Sequence, residues 1–318
     1  MVHATTGQAS PARFSLRLLP ENPVARRRLF IGLAFITPWL IGFLVFILYP
    51  FLASIYFSMT AYHLRPNEVP EWVGLQNYQL LFSMDRKFPI AIMNTVIYTL
   101  MAAPIGMILA LGLALLYHQN VFGRSLMRAL IYVPLIVPPV ASSILWMWIF
   151  NPQIGLLNSL LAVIGIQGPA WLNDPDWVKA ALVIMAQWGV GGNVILLLAA
   201  LADVPRQLYE AAEIDGAGTW SKFRNVTIPM ISPTLLFIGI MNVIYSLQYF
   251  TEAYIVSGGS GGPANATLFY SLYLFQQAFV SFNMGYASAM AWILFIVSLI
   301  VTVIIFRVSS NRVTYDRV

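Results

Sequence analysis

Apolar runs of about 18 residues or more, the length that crosses a bilayer core of roughly 30 Å, recur along this chain between short polar segments. The pattern predicts spans at about 29–58, 90–117, 129–150, 178–201, 231–256 and 287–307. Inside lipid such runs must close their backbone hydrogen bonds internally, so the predicted fold is all-α membrane with six transmembrane helices. The first run contains Pro38 and Pro50 and is on the order of 45 Å long at about 1.5 Å per residue, so it should kink, tilt or emerge from the bilayer. The third run opens with Pro134, Pro138 and Pro139, which predicts distortion of its first half. In the second run Ala102, Gly106, Ala110 and Ala114 recur every four residues, a small-residue stripe read as helix packing.

The connections are short. Segment 60–89 carries Val73-Gly74-Leu75-Gln76-Asn77-Tyr78, and segment 151–177 carries the turn sequences Asn151-Pro152 and Asn173-Asp174-Pro175-Asp176. Residues 257–264, Ser-Gly-Gly-Ser-Gly-Gly-Pro-Ala, read as a flexible connection. No repeat or linker interrupts the pattern, which predicts one membrane domain at 29–307 between a tail at 1–28 and a tail at 308–318.

Charge fixes an orientation. Only 9% of the residues are charged, against about a quarter in soluble domains, so a soluble fold is excluded. Of the 17 Lys and Arg residues, 13 fall on the side of the spans that holds both termini: Arg13, Arg17, Arg26, Arg27, Arg28, Arg124, Arg128, Arg206, Lys222, Arg224, Arg307, Arg312 and Arg317. Only Arg65, Arg86, Lys87 and Lys179 fall on the other. Basic residues mark the cytoplasmic side, so both termini are expected there, and the basic balance reports orientation in lipid, with no nucleic acid as partner. The run from Leu29 to Met59 is about twice the 7–15 residues of a signal peptide's apolar region, so it is read as a retained helix. Absence of cysteine excludes disulfides and thiolate metal sites.

The most informative polar segment is residues 203–233, DVPRQLYEAAEIDGAGTWSKFRNVTIPMISP. Asp203 is placed to cap a helix with Pro205 in its first turn, and Asp215-Gly216 is placed to end that helix. Thr219 is placed to cap a second short helix carrying Trp220 and Phe223, before Pro229 and Pro233 lead into the fifth span. From the residues alone this is a helix–turn–helix on the cytoplasmic face, equally readable as an amphipathic hairpin in the headgroups.

Glu210-Ala211-Ala212, Asp215-Gly216-Ala217, Phe223, Ile228-Pro229 and Pro233 resemble the EAA loop of binding-protein-dependent ABC importer permeases. Residues 73–78, Asn94-Thr95, Gly261-Gly262-Pro263 and Gly285-Tyr286-Ala287-Ser288-Ala289 resemble the maltose- and glycerol-phosphate-type subfamily. The resemblance implies a cytoplasmic coupling-helix loop between helices 4 and 5, with Glu210, Ala211, Ala212, Asp215, Gly216 and Ala217 docking on a separate ATPase subunit. It further implies a second homologous permease, a cytoplasmic ABC ATPase dimer that binds the ATP and Mg, an extracytoplasmic solute-binding protein, and a bacterial or archaeal cytoplasmic membrane. No cofactor is expected in this chain.

Two other classes fit less well. An ion-coupled secondary transporter places ionisable residues at mid-membrane, whereas these spans hold one acid, Glu252, and none of His3, His63 and His118. A membrane enzyme should show a nucleophile elbow, an HExxH motif or a phosphate loop, and the sequence has none. Within the importer reading, Asn242, Tyr245, Tyr249 and Glu252 share one face of the fifth span, with Gln248 and Thr251 close by. Gln187, Trp188 and Asn193 stand beside Gly189, Gly191 and Gly192 in the fourth. Two readings stay open for these residues: a wall of the solute pathway, or hydrogen bonds and anchors between helices. Amides, a carboxylate and aromatic rings suit a neutral oligosaccharide; glycerol 3-phosphate or another sugar phosphate is the alternative, and would call for a cation.

The orientation is testable directly. Single cysteines at residues 70, 165 and 260 are expected to react with an impermeant reagent added to intact cells, and one at 215 only after lysis. Labelling at 215 in intact cells would invert the orientation.

Overall fold

The computed structural model describes residues 22–64, 68–119 and 123–310. Arg13, Arg17, Arg65, Arg312 and Arg317, and with them most of both predicted tails, lie outside the described residues. The chain divides into two units between Ser54 and Ile55.

In the first unit α1 (Pro23–Phe43) opens on Asn22, whose side-chain oxygen accepts from the Val24 amide at 2.9 Å. A π-helical turn, Leu44–Leu48, joins α1 to α2 (Tyr49–Ser58). That turn lies just ahead of Pro50. A proline ring collides with the carbonyl four residues earlier, here Phe46, and the wider π turn moves that carbonyl aside.

The second unit starts at Ile55 within α2 and continues with β1 (Thr60–Ala61), paired antiparallel to β2 (Glu71–Trp72), and then α3 (Gln76–Ser83). The unbroken helix α4 (Lys87–His118) follows. After it come α5 (Arg124–Ile136) and α6 (Pro139–Ile149), with α7 (Leu156–Val163) in the next connection. Next are α8 (Val178–Gln187), α9 (Gly191–Ala202), α10 (Arg206–Ile214), α11 (Thr219–Lys222) and α12 (Ile228–Leu247). The chain closes with α13 (Thr251–Ser257), α14 (Tyr270–Phe275) and α15 (Met284–Ser310). Among the described residues four helices are long and apolar enough to cross a membrane: Pro23–Ser58, Lys87–His118, Thr219–Ser257 and Met284–Ser309. The pairs α5–α6 and α8–α9 are bent by 104° and 46°, and counting each as one span brings the total to six.

The distortion expected of the third span is therefore a corner. Val137 is extended, as residues before proline tend to be, and behind Pro138 helix α6 starts at Pro139 in a new direction. The small-residue stripe packs as expected: Ala102, Gly106, Ala110 and Ala114 are all buried, and α4 lies against α8, α9 and α12. At Gly191 the backbones of α9 and α5 nearly touch, since a Cβ there would sit 2.2 Å from the Ile131 carbonyl oxygen. Two buried clusters result. One, around Phe88, Tyr98, Phe150, Leu182, Phe269 and Met290, gathers the connections beyond the first turn of α4. The other, around Ala110, Ala114, Val194, Leu197, Ile231 and Ile238, holds the opposite half of α4.

Residues 257–264 are not a free linker, although their composition predicts one. The Gln276 side chain donates to the Gly259 carbonyl at 2.7 Å, and the Thr267 hydroxyl to the Gly262 carbonyl at 2.6 Å. Asn94 extends the same fastening to the residues that follow: its amide donates to the carbonyls of Asn265 and Leu268 at 2.8 and 3.1 Å. Its neighbour Thr95 accepts from the Tyr270 amide at 2.9 Å. The glycines here serve the left-handed backbone of a tight fold, not mobility.

A second fastening centres on Asp85, just before α4. One carboxylate oxygen accepts from the amides of Lys87 and Phe88 at 2.8 and 3.1 Å, capping the helix. The other accepts from the hydroxyls of Tyr273 and Tyr286, joining α14 and α15 to the same point. Burial opposes ionisation, but these four donors outweigh it and hold the Asp85 carboxyl below its ordinary range. A depressed folded-state value contributes stability that is complete above the unfolded value and is lost as pH falls through the folded one. Asp85→Asn is expected to lower stability by about 1 kcal/mol at neutral pH. In thermal melts the gap between wild type and variant should narrow below about pH 4; a gap independent of pH would remove the carboxylate from this role.

Candidate functional site

A cavity of about 290 Å³ opens where α4, the α8–α9 break and the α12–α13 break face one another. Of the nine residues expected along a solute path, six line it: Gln187, Asn193, Asn242, Tyr245, Tyr249 and Glu252. The fifth-span face thus survives although the helix does not, because α12 ends at Leu247 and α13 begins at Thr251. Tyr249 sits in that break and is buried, its ring stacked on Tyr98 of α4 at 4.3 Å. The other three expected residues fall elsewhere. Gln248 ends α12 with its side chain exposed, and Thr251 begins α13 off the cavity. Trp188 lies edge-on to Trp146 at 5.9 Å and is 44% exposed. The period of a continuous helix misplaces Gln248 and Thr251, because the break resets the angle at which each side chain leaves the axis.

Several of these polar residues both line the cavity and hydrogen-bond within or between helices. The Asn193 amide donates to the Asn242 side-chain oxygen at 3.0 Å, tying α9 to α12, and both residues still line the cavity. Gln187 donates to the Val183 carbonyl of its own helix at 3.0 Å. Tyr98 and Ser246 belong to the cavity and escaped the sequence reading. Tyr98 had a signal: it stands four residues before Ala102 and heads the small-residue stripe. Ala102 and Gly106 of that stripe also form cavity wall, so the upper stripe does more than pack.

Loop 203–233 has its own local logic. α9 runs on to Ala202, so Asp203 closes that helix instead of capping the next, and Pro205 stands at the start of α10. Thr219 is likewise the first helical residue of α11, behind Gly218, and makes no side-chain cap. Asp215-Gly216 ends α10 as expected. Gly216 adopts φ +76°, its amide donates to the Glu213 carbonyl at 3.0 Å, and the Ala217 amide donates to the Ala212 carbonyl at 2.8 Å. The second short helix is not separate. From α11 a π turn, Phe223–Thr227, runs straight into α12, again placing Pro229 two residues beyond a widened turn.

Side chains fasten the two arms of the loop to each other. Lys222 pairs with Glu213 at 2.6 Å, and the hydroxyls of Tyr209 and Thr227 meet at 2.9 Å. Glu210, Ala211, Asp215 and Gly216 stay exposed, with Ala212 and Ala217 half-buried beneath them. Ile214 and Trp220 stand 88% and 71% exposed at the tip, two apolar side chains left largely open among the described residues.

Comparison with known proteins agrees with this architecture. Residues 102–315 match the family described as the binding-protein-dependent transport system inner membrane component. The chain is 38% identical over 313 residues to the probable ABC transporter permease protein YesP of Bacillus subtilis (strain 168), covering 98% of each. It is 35% identical over 286 residues to the lactose transport system permease protein LacF of Rhizobium radiobacter, covering 88% of this chain and 94% of that one. Its fold is also that of a chain in a bacterial alginate ABC transporter, solved in complex with an alginate pentasaccharide-bound periplasmic protein. The TM-score is 0.78 over 90% of this chain and 96% of that one, at 22% identity. A bundle broken around a polar cavity, a hairpin closed by Gly216 and relatives matched along nearly the whole length lead to one assignment: the chain belongs to the inner membrane components of binding-protein-dependent transport systems.

Proposed function

We propose that this protein is a permease subunit of an ATP-driven importer of neutral oligosaccharides, and that its cavity is half of the solute path. The observation that carries the solute class is the cavity wall. Carboxylate, amide and hydroxyl groups stand there beside the Tyr98–Tyr249 stack, and no Arg or Lys is among the described lining residues. Sugar hydroxyls both donate and accept, and their C–H faces lie well on aromatic rings. The name of one relative, a lactose system, supports the same class. A sugar phosphate remains the second reading only through a cation supplied by another subunit.

In this reading Glu210, Ala211, Ala212, Asp215, Gly216 and Ala217 form the docking surface for a separate ATPase dimer, which binds the ATP and Mg. A second homologous permease completes the path, and an external solute-binding protein delivers the sugar, as the periplasmic protein bound to the alginate transporter suggests. The chain itself carries out no chemistry. It sits in a bacterial or archaeal cytoplasmic membrane with both termini and loop 203–233 inside, supported by the distribution of Lys and Arg. Closure of the ATPase dimer would draw on the loop and rock the helices that wall the cavity.

Two measurements test the two halves of this proposal. Because Gly216 has a left-handed backbone and open space around it, the burden of a side chain there is conformational, about 1–2 kcal/mol for a β-branched residue. Gly216→Val is expected to abolish ATP-driven uptake with membrane insertion intact, and Gly216→Asn to retain most of it. Wild-type uptake by the valine variant would remove the docking role.

For the cavity, Asn242→Leu and Tyr249→Ala in the reconstituted complex should each lower sugar uptake about tenfold, the scale of one lost polar or stacking contact. Assembly with the ATPase should be unchanged. Uptake confined to phosphorylated solutes, or unaltered sugar flux in the double variant, would overturn the neutral-sugar assignment.

A further inference from the structure

A second cleft, of about 420 Å³, lies away from the polar cavity, where the end of α4 meets α5 and α9. Its walls differ sharply in character. His118, Arg128 and Tyr132 supply polar groups, while Ile131, Ile195 and Leu198 supply an apolar surface. Neither Asp nor Glu is among its described lining residues.

Arg128 is half-buried and incompletely satisfied. One terminal nitrogen donates to the Tyr117 carbonyl at 3.2 Å, one of the last carbonyls of α4 that no helical N–H can reach. Its Nε is buried with no hydrogen-bond partner among the described residues. A buried guanidinium N–H without an acceptor calls for an anion, and guanidinium geometry matches phosphate oxygens closely.

The helix that carries Arg128 has the placement of an interfacial element. α5 meets α6 at 104°, so when α6 points into the bilayer α5 runs along its surface. It also exposes Leu126, Leu130 and Val133, as an amphipathic helix lying among headgroups does. An anion available at that depth is a lipid phosphate, and an acyl chain continuing from it meets the apolar wall. A free phosphate ion would gain nothing from Ile195 and Leu198. His118 also lines the apolar cleft beneath Trp220, so this site stands at the same end of the bundle as loop 203–233. On the orientation proposed above that end faces the cytoplasmic leaflet, where anionic lipids concentrate. The leaflet rests on that orientation, whereas the site does not.

We infer that the cleft between the end of α4, α5 and α9 binds one anionic phospholipid, its phosphate on Arg128 and one acyl chain along Ile131, Ile195 and Leu198. The test uses the full chain in whatever complex it purifies with, incubated with phosphatidylglycerol or with phosphatidylcholine, and native mass spectrometry reads the lipid retained. Wild type should hold phosphatidylglycerol in preference to phosphatidylcholine. Arg128→Gln should weaken that retention about tenfold, the scale of one charge-assisted hydrogen bond. Ala199→Phe adds bulk to the cleft wall and leaves Arg128 in place, and should weaken retention as well. Should Arg128→Gln fail to fold, Ala199→Phe decides the matter alone. Inorganic phosphate should not displace the lipid. Equal retention of both lipids by wild type, undiminished phosphatidylglycerol in Ala199→Phe, or displacement by inorganic phosphate would overturn the assignment.

Discussion

A peptide group that loses its partner inside hydrocarbon finds no water to replace it, and that constraint governs where this bundle can depart from straight helix. Several of its departures are closed locally. Between α8 and α9 the amides of Trp188, Gly189 and Val190 reach back three residues, to Met185, Ala186 and Gln187, instead of four. Between α12 and α13 the amides of Gln248 and Tyr249 are likewise paired, to Ile244 and Ser246. Ahead of Pro50 and Pro229 the chain widens to a π turn, so the proline ring is accommodated without a broken axis. The two breaks between helices border the polar cavity, where irregular backbone can face a solute and not lipid. At these two breaks helix irregularity and cavity coincide.

The same constraint explains which parts of the molecule could be read from its sequence. Length and apolarity are sufficient to announce a span, so α4 and α15 were legible at once. Pro138 announced a disturbance, but nothing local encodes a 104° corner, which also needs Gly191 to let α9 approach the Ile131 carbonyl. Turn residues were reliable where the backbone itself demanded them: Gly216 is left-handed, and Asn151 and Asp174 each accept from amides two residues on. Caps were less reliable, because Asp203 and Thr219 had competing elements on either side.

Long-range fastenings were invisible. Glycine and serine between residues 257 and 262 carry no mark of the Gln276 bond that pins them. Asp85 gives no hint that Tyr273 and Tyr286 will find it, since those partners lie nearly two hundred residues away. In the cavity, the residues correctly grouped were those whose position tolerates a change of helix phase. Tyr249 reaches the wall through its stack on Tyr98, not through helical period. Gln248, one residue earlier, has no such hold and turns outward.

The continuity of α11, the π turn and α12 has a mechanical side. From Thr219 to Leu247 the chain is a single helical rod on the order of 40 Å long at about 1.5 Å per residue, with Trp220 at one tip and Asn242 near the other. A rod has no slack. A tilt of a few degrees imposed at the Trp220 end must reappear as a displacement of an ångström or more beside Asn242, with the pivot set by the small-residue face of α4. Separate helices joined by a loop would absorb such a push as loop strain. Here the helix runs without a loop from Thr219 to Leu247, so a displacement applied at the hairpin is carried toward the cavity wall.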